Sequence, residues 1–309
     1  MPRTLLLSAV VLAALCAAPA GAAAQLAAGA AASAPAAAPA KLFADGRLVT
    51  RDRFTVEVVG AGPDVVLIPG LSSSKETWRR TAERLRGRYR LHLVQVAGFA
   101  GEPPRANASG AFFDPVLAEL DAYMAALPKP PVVMGHSLGG TLALAMAERS
   151  PARMSKVLIV DSLPFYGVLM GGPSATADSV RPMAEGMRKQ MVGRMPEPMA
   201  RQMAAQMVTA PADVDRVVAW MMASDPQVTA RAMTDDMVAD LRPDLGKVRS
   251  PVTVIYETPI KPMIEAGYAA LGPKTLVAVP DAKHFIMYDQ PARFDAEVDR
   301  FLGVPSPGR

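Results

Sequence analysis

Continuous apolar runs, each stopped by a turn signal and followed by a helical pattern, constrain this chain most. They are DVVLIPG (64–70), RLHLVQV (90–96), PVVMG (131–135), KVLIVD (156–161), PVTVIYE (251–257) and KTLVAVP (274–280). An antiparallel strand with one wet face alternates apolar and polar residues; most of these runs do not, so both of their faces must be covered. Helical patterns fill the gaps at 75–87, 112–126, 138–149, 261–271 and 291–302. Buried strands alternating with helices predict an α/β fold, a mostly parallel sheet with helices on both faces. RFTVEVV (53–59) alternates and predicts one further strand.

The stretch 163–250 breaks this rhythm. It has no strand-like run, is rich in Met and Pro, and lies between two predicted strands. It is expected to form a helical cap inserted over the C-terminal edge of the sheet. Met183, Met187, Met191, Met195, Met199, Met203 and Met207 recur every four residues. A helical turn is 3.6 residues, so such a stripe drifts round the surface. MPEP (195–198) should split it into two helices. Methionine is flexible and polarisable, which suits either cap packing or the roof of a deformable apolar pocket.

The first 24 residues have the form of a secretory signal: one Arg, the apolar run Leu5 to Ala14, then small residues suited to cleavage before Gln25. The run is too short and Ala-rich for a membrane span. Cys16, the single cysteine, follows Leu15 rather than the small residue that lipidation needs, so no lipid or other stable membrane anchor is expected. Residues 25–40 are Ala- and Pro-rich and form a spacer, leaving 41–304 as the folded domain. Export to the periplasm or medium follows. The net charge of +4 is scattered, as in TWRRTAERLRGRYR (77–90), which argues against a nucleic-acid partner.

Within this pattern stands VVMGHSLGGTLAL (132–144). Gly-x-Ser-x-Gly between a buried strand and a helix is a nucleophile elbow: a tight turn that lifts the serine hydroxyl above the sheet at the positive end of a helix. Ser137 is the predicted nucleophile.

From here the chain resembles the α/β-hydrolase family, in its cap-bearing, esterase-like branch, over about 42–303. VVLIPGLSSSKETW is similar to the family's strand and oxyanion loop, VQVAGFAGEP to its next strand and loop, GHSLGG to its elbow, and PDAKHFIMYDQPARF to its terminal histidine loop and last helix. The resemblance implies a Ser-His-acid triad. Of three histidines, His92 lies in a strand, His136 is expected to face away from its neighbour Ser137, and His284 lies in a loop after the last strand. His284 is therefore the expected base.

The family commonly places its acid shortly after the strand at 251–257, but VIYETPIKP has no aspartate there. Some members carry it at the end of the strand after the nucleophile helix, here Asp161. Asp161 is the preferred acid and Glu257 the alternative. Asp281 lies too near His284 in sequence, and Asp289 has the position of an N-cap for the last helix. The resemblance also implies oxyanion donors from the N–H groups of Leu71 and Leu138. Pro69-Gly70 replaces the family's usual His-Gly, and Ser72, Ser73 and Ser74 follow as loop-ordering or substrate-contacting groups.

A serine at the elbow argues against the chemistry of members with a carboxylate nucleophile. The expectation is a serine hydrolase without metal or organic cofactor, most simply a carboxylesterase for small or medium apolar acyl groups. Amide, lactone and carbon–carbon bond cleavage use the same residues, and a non-catalytic binding protein would also fit the missing aspartate. Nothing in the chain specifies an oligomeric state.

Overall fold

The computed structural model describes residues 40–191 and 193–304. The predicted signal segment 1–24 and nearly all of the spacer, 25–39, lie outside the described residues. In chain order come β1 (Arg47–Thr50), β2 (Phe54–Val59), β3 (Asp64–Ile68), α1 (Arg79–Leu85), β4 (Arg90–Val96), α2 (Phe113–Ala125), β5 (Val132–His136), α3 (Leu138–Arg149) and β6 (Lys156–Val160). Then follow α4 (Val168–Gly171), α5 (Ala177–Gln190), α6 (Glu197–Met207), α7 (Pro211–Ala223), α8 (Pro226–Val238), β7 (Val252–Glu257), α9 (Lys261–Gly267), β8 (Lys274–Val279), α10 (Ile286–Asp289) and α11 (Pro291–Leu302).

The strands form one sheet in the order β1-β2-β4-β3-β5-β6-β7-β8. Only β2 runs against the others, since it pairs antiparallel with both β1 and β4 while every other pairing is parallel. The predicted mostly parallel α/β architecture is the observed one. β1 was not anticipated: RLVT is four residues long and lies at the sheet edge, half-buried at its centre. The predicted helix at 75–87 opens as a 3-10 turn, Lys75–Trp78, before α1 begins.

The unbroken apolar runs are explained by where alternate side chains go. On β3, Val66 and Ile68 join a core with α2, α3 and Tyr268, whereas Val65 and Leu67 join a core with Trp78, α1 and α11. β6 divides in the same way, Val157 and Ile159 to the first core, Leu158 and Val160 to the second. Each fully buried Val, Leu or Ile contributes roughly 1.5–3 kcal/mol, so the double-faced centre of the sheet is the main source of stability.

An ion pair is buried between β2 and the 3-10 turn that follows β3. Lys75 Nζ lies 2.7 Å from Glu57 Oε2, with side chains 5% and 0% exposed. The Glu57 carboxylate also accepts the N–H groups of Leu42 and Phe43, and the Lys75 ammonium donates to Ala40 O. The pair thereby fastens the start of the described chain to β2.

The segment between β6 and β7 folds as the helices α4 to α8 and a 3-10 turn at Arg242–Lys247. Pro182 lies inside α5, but three other prolines sit where helices tolerate them. Pro211 and Pro226 open α7 and α8, and Pro198 lies in the first turn of α6, where the missing N–H has no helical partner in any case. Asp225 caps α8 by accepting from the N–H groups of Gln227 and Val228. The helix ending at Gln190 and the one beginning at Glu197 are separate, the break expected near MPEP.

Candidate active site

β5 delivers Ser137 to the C-terminal edge of the sheet, and α3 starts one residue later. Ser137 holds φ 53° and ψ −124°, a conformation that costs a non-glycine residue of order 1–3 kcal/mol. The turn closes this tightly because its neighbours lack side chains. A Cβ on Gly135 would stand 2.1 Å from Gly139 O, and one on Gly139 2.3 Å from Ile68 O. Ser137 N–H donates to Val160 O, while Ser137 O accepts from Gly140 and Thr141 N–H. The amides of Leu71 and Leu138 take no part in these turn hydrogen bonds. The Gly70 backbone approaches so closely that a Cβ there would lie 3.0 Å from Ser137 Cβ.

His284 and Asp161 are brought together. His284 Nδ1 is 2.6 Å from Asp161 Oδ2, and Asp161 is 3% exposed. The other carboxylate oxygen, Oδ1, accepts the Glu257 N–H at 2.9 Å. Of the two carboxylates weighed from sequence, Asp161 touches the imidazole, and Glu257 contributes its backbone N–H to hold that carboxylate. Burial alone would lower the His284 pKa, but the hydrogen bond and charge of Asp161, with the more distant Glu257 charge, hold it above 6.5. Asp161 itself has φ 49°, a strained strand end that turns its side chain toward the histidine loop.

His136 departs from expectation. It does not face away: its ring centroid is 4.6 Å from that of His284, and its Nε2 donates to His284 O at 3.0 Å. Alternation of sides holds along an extended strand, and the elbow ends that extension at Ser137. With Nε2 facing a carbonyl, Nε2 carries the proton and Nδ1 is a buried acceptor without a partner. Burial and the neighbouring His284 keep His136 neutral, well below the ordinary imidazole value. His92 is a packed strand residue, bonded to the Tyr123 hydroxyl at 2.6 Å and to Asp64 Oδ1 at 2.8 Å.

Asp289 also differs from expectation. It does not cap α11, whose N-cap is Gln290 without a side-chain bond. Its carboxylate accepts from Thr209 N–H and Lys283 N–H, each at 2.8 Å, and so ties the histidine loop to the cap. The serines after Gly70 order the loop, and Ser72 and Ser73 also line the cavity between sheet edge and cap. Ser72 Oγ bonds Thr229 Oγ1 of α8 at 2.9 Å, Ser73 Oγ donates to Leu71 O, and Ser74 caps the following 3-10 turn.

Ser137, His136 and His284 open on a cavity of about 450 Å³ between sheet edge and cap. Its wall carries Met191, Met195, Met203, Met207, Met221, Met233 and Met237. The four-residue stripe is thus divided: four of its methionines line the cavity, Met187 packs with Met233 and Met237, and Met183 and Met199 are exposed. The drift of a period-four stripe and the break before α6 account for this. Among the polar residues on the wall that were not anticipated are Tyr166 and Asp236. Asp236 sits with Met233 and Met237 at i, i+3 and i+4 on one face of α8, an acid on an otherwise apolar helical face. That pattern was visible in the sequence. Among the described residues no group of three His, Cys, Asp or Glu side chains is arranged to hold a metal. No helix among them is long and apolar enough to cross a membrane.

A parallel sheet that presents a serine on such an elbow beside a histidine–aspartate pair, under a helical cap, is built as a serine hydrolase. Residues 65–297 match the family model described as "Alpha/beta hydrolase family", and the chain belongs to that family. It is 29% identical over 247 residues to the pimeloyl-[acyl-carrier protein] methyl ester esterase of Chromobacterium violaceum, covering 76% of this chain and 93% of that protein. It is 26% identical over 265 residues to the esterase of the same name from Nitrosospira multiformis, covering 80% and 97%. Among solved structures, the enol-lactonase of Burkholderia xenovorans aligns with TM-score 0.65 and 18% identity, covering 81% of this chain and 96% of that one. A thermophilic esterase from Thermogutta terrifontis aligns with TM-score 0.64 and 20% identity, covering 84% and 98%. At these identities the two structures show a shared fold.

Proposed function

We propose that this chain is a carboxylesterase that hydrolyses esters of small or medium apolar acyl groups through Ser137, His284 and Asp161. The observation that carries the reading is the 2.6 Å contact between His284 Nδ1 and Asp161, beside a strained serine at the mouth of a Met-lined cavity. With Nδ1 committed to Asp161, Nε2 is the nitrogen left to take a proton from Ser137. Ser137 Oγ attacks the ester carbonyl as that proton moves to His284. The Leu71 and Leu138 N–H groups receive the negative charge that forms on the carbonyl oxygen. Collapse of the tetrahedral intermediate expels the alcohol, protonated by His284. Water, deprotonated by the same imidazole, then clears the acyl-enzyme and restores Ser137.

The apolar cavity supports an apolar acyl group, since most of its wall offers dispersion contact and little hydrogen bonding. The curated relatives are named as esterases of a methyl ester, in keeping with a small leaving alcohol. The signal-like residues 1–24 support export to the periplasm or medium. The test is a panel of chromogenic esters of rising acyl length, with a fluorophosphonate to label Ser137. Ester hydrolysis together with labelling lost in Ser137→Ala supports the reading. A folded protein that neither turns over esters nor takes the label is a binding protein on this scaffold instead.

A further inference from the structure

Resting on that esterase reading, we propose that Asp236 is a specificity residue that accepts a hydrogen bond from a hydroxyl group on the acyl chain, near the scissile carbonyl. Asp236 projects from α8 into the wall of the same cavity as Ser137. Its Oδ1 is buried and has no hydrogen-bond partner. An unsatisfied buried acceptor costs roughly 1–3 kcal/mol, and more if charged, so a group that supplies the missing donor is bound selectively.

The position follows from what surrounds the carboxyl. Thr141, whose hydroxyl bonds Ser162 Oγ at 3.2 Å, acts to lower the Asp236 pKa, and Tyr166 shares the cavity wall with Asp236 and with Ser137. Asp236, Tyr166 and Ser137 border one cavity, so the donor is placed on the acyl group close to the carbonyl, as on an α- or β-hydroxyacyl group.

A neutral hydroxyl fits better than an ammonium group. Met233, Met237, Leu71 and Leu169 share this wall, and an ammonium group among them loses far more hydration than a hydroxyl, with one carboxyl to offset it. Burial, opposed by Thr141 and assisted by the charge of Asp235, pushes the Asp236 carboxyl up to about 7. A hydroxyl is donor and acceptor at once, so it can answer that carboxyl in either protonation state.

The experiment compares kcat/KM for para-nitrophenyl butanoate with the α-hydroxy, both enantiomers of the β-hydroxy, and the β-amino analogues. It uses the full protein and the variants Asp236→Leu and Asp236→Asn. The expected wild-type result is a preference of about 10-fold or more for one hydroxy ester over butanoate. Asp236→Leu should bring that ratio to about one, and Asp236→Asn, which keeps an acceptor of the same shape, should retain part of it. The wild-type ratio stands whether or not a variant folds, and fluorophosphonate labelling identifies folded variants. Equal rates on hydroxylated and plain esters overturn the Asp236 proposal and leave the esterase reading intact. So does a ratio unchanged in Asp236→Leu, or a preference for the β-amino ester. Absence of both hydrolysis and labelling overturns the esterase reading and this proposal with it.

Discussion

His284 Nδ1 lies 2.6 Å from Asp161 Oδ2 across 123 residues of chain, and Asp161 Oδ1 is fixed in turn by the Glu257 N–H. The acid that meets the imidazole thus comes from the end of β6, while the end of β7 supplies a backbone donor and a charge. This division of labour predicts different consequences for the two carboxylates. Asp161→Asn leaves the imidazole misoriented and its cation unsupported, and should lower kcat by several powers of ten. Glu257→Gln keeps the backbone N–H and should cost far less. Steady-state kinetics on one ester decide it: a collapse in Glu257→Gln with activity preserved in Asp161→Asn would reverse the assignment.

Ser137→Ala and His284→Ala should each lower kcat by about 10³-fold or more, with the double variant little worse, because the pair works as a unit. Thermal melts and circular dichroism should match the wild type, and substantial activity in either soluble single variant counts against both roles.

The acid limb of the pH–rate profile should fall above 6.5. His284 must be neutral to act as base, and Asp161 and Glu257 hold its protonated form in place to higher pH. Activity therefore rises with pH through the raised value. In Asp161→Asn, whatever activity survives should show the limb moved to lower pH, since burial then dominates. The linked stability has the opposite sense. The folded pKa exceeds the unfolded one, so the His284 contribution is complete below about 6.5 and fades as pH rises through the folded value.

Lys75→Met should destabilise the fold by about 3–5 kcal/mol, because it leaves the Glu57 carboxylate buried and without its counter-charge. Denaturant unfolding measures this directly, and a loss below about 1 kcal/mol would mean that Glu57 is satisfied by the Leu42 and Phe43 amides alone.

Expressed with its leader in a bacterial host, the exported protein should begin near Gln25, without Cys16 and without lipid. Intact-mass spectrometry reads this in one measurement, and a diacylglyceryl mass on Cys16 or a retained leader would contradict it.

The strand runs, the elbow glycines and the helical insert were legible in the sequence because each is a local matter. A β-branched run covered on both faces, a turn too tight for Cβ, and a proline at a helix start all depend on residues within a few positions of one another. Thus RLHLVQV forms β4 over the residues read as a strand, and α3 spans 138–149 as its pattern dictates. What local pattern could not decide was which distant side chains meet. Asp161 and Glu257 end neighbouring strands, and only the register of β6 against β7 and the turn at Asp161 select the carboxylate that reaches His284. His136 was placed on the wrong side because alternation fails where the elbow bends the chain. Likewise Glu57 looks like an ordinary surface acid in sequence, and only the packing of Lys75 against it makes it a buried charge; the pattern around Asp236 is visible in sequence, but the cavity it lines is not. Backbone propensity acts over one or two turns, whereas a carboxylate's environment is set by every element that closes over it, and that is a property of the folded chain alone.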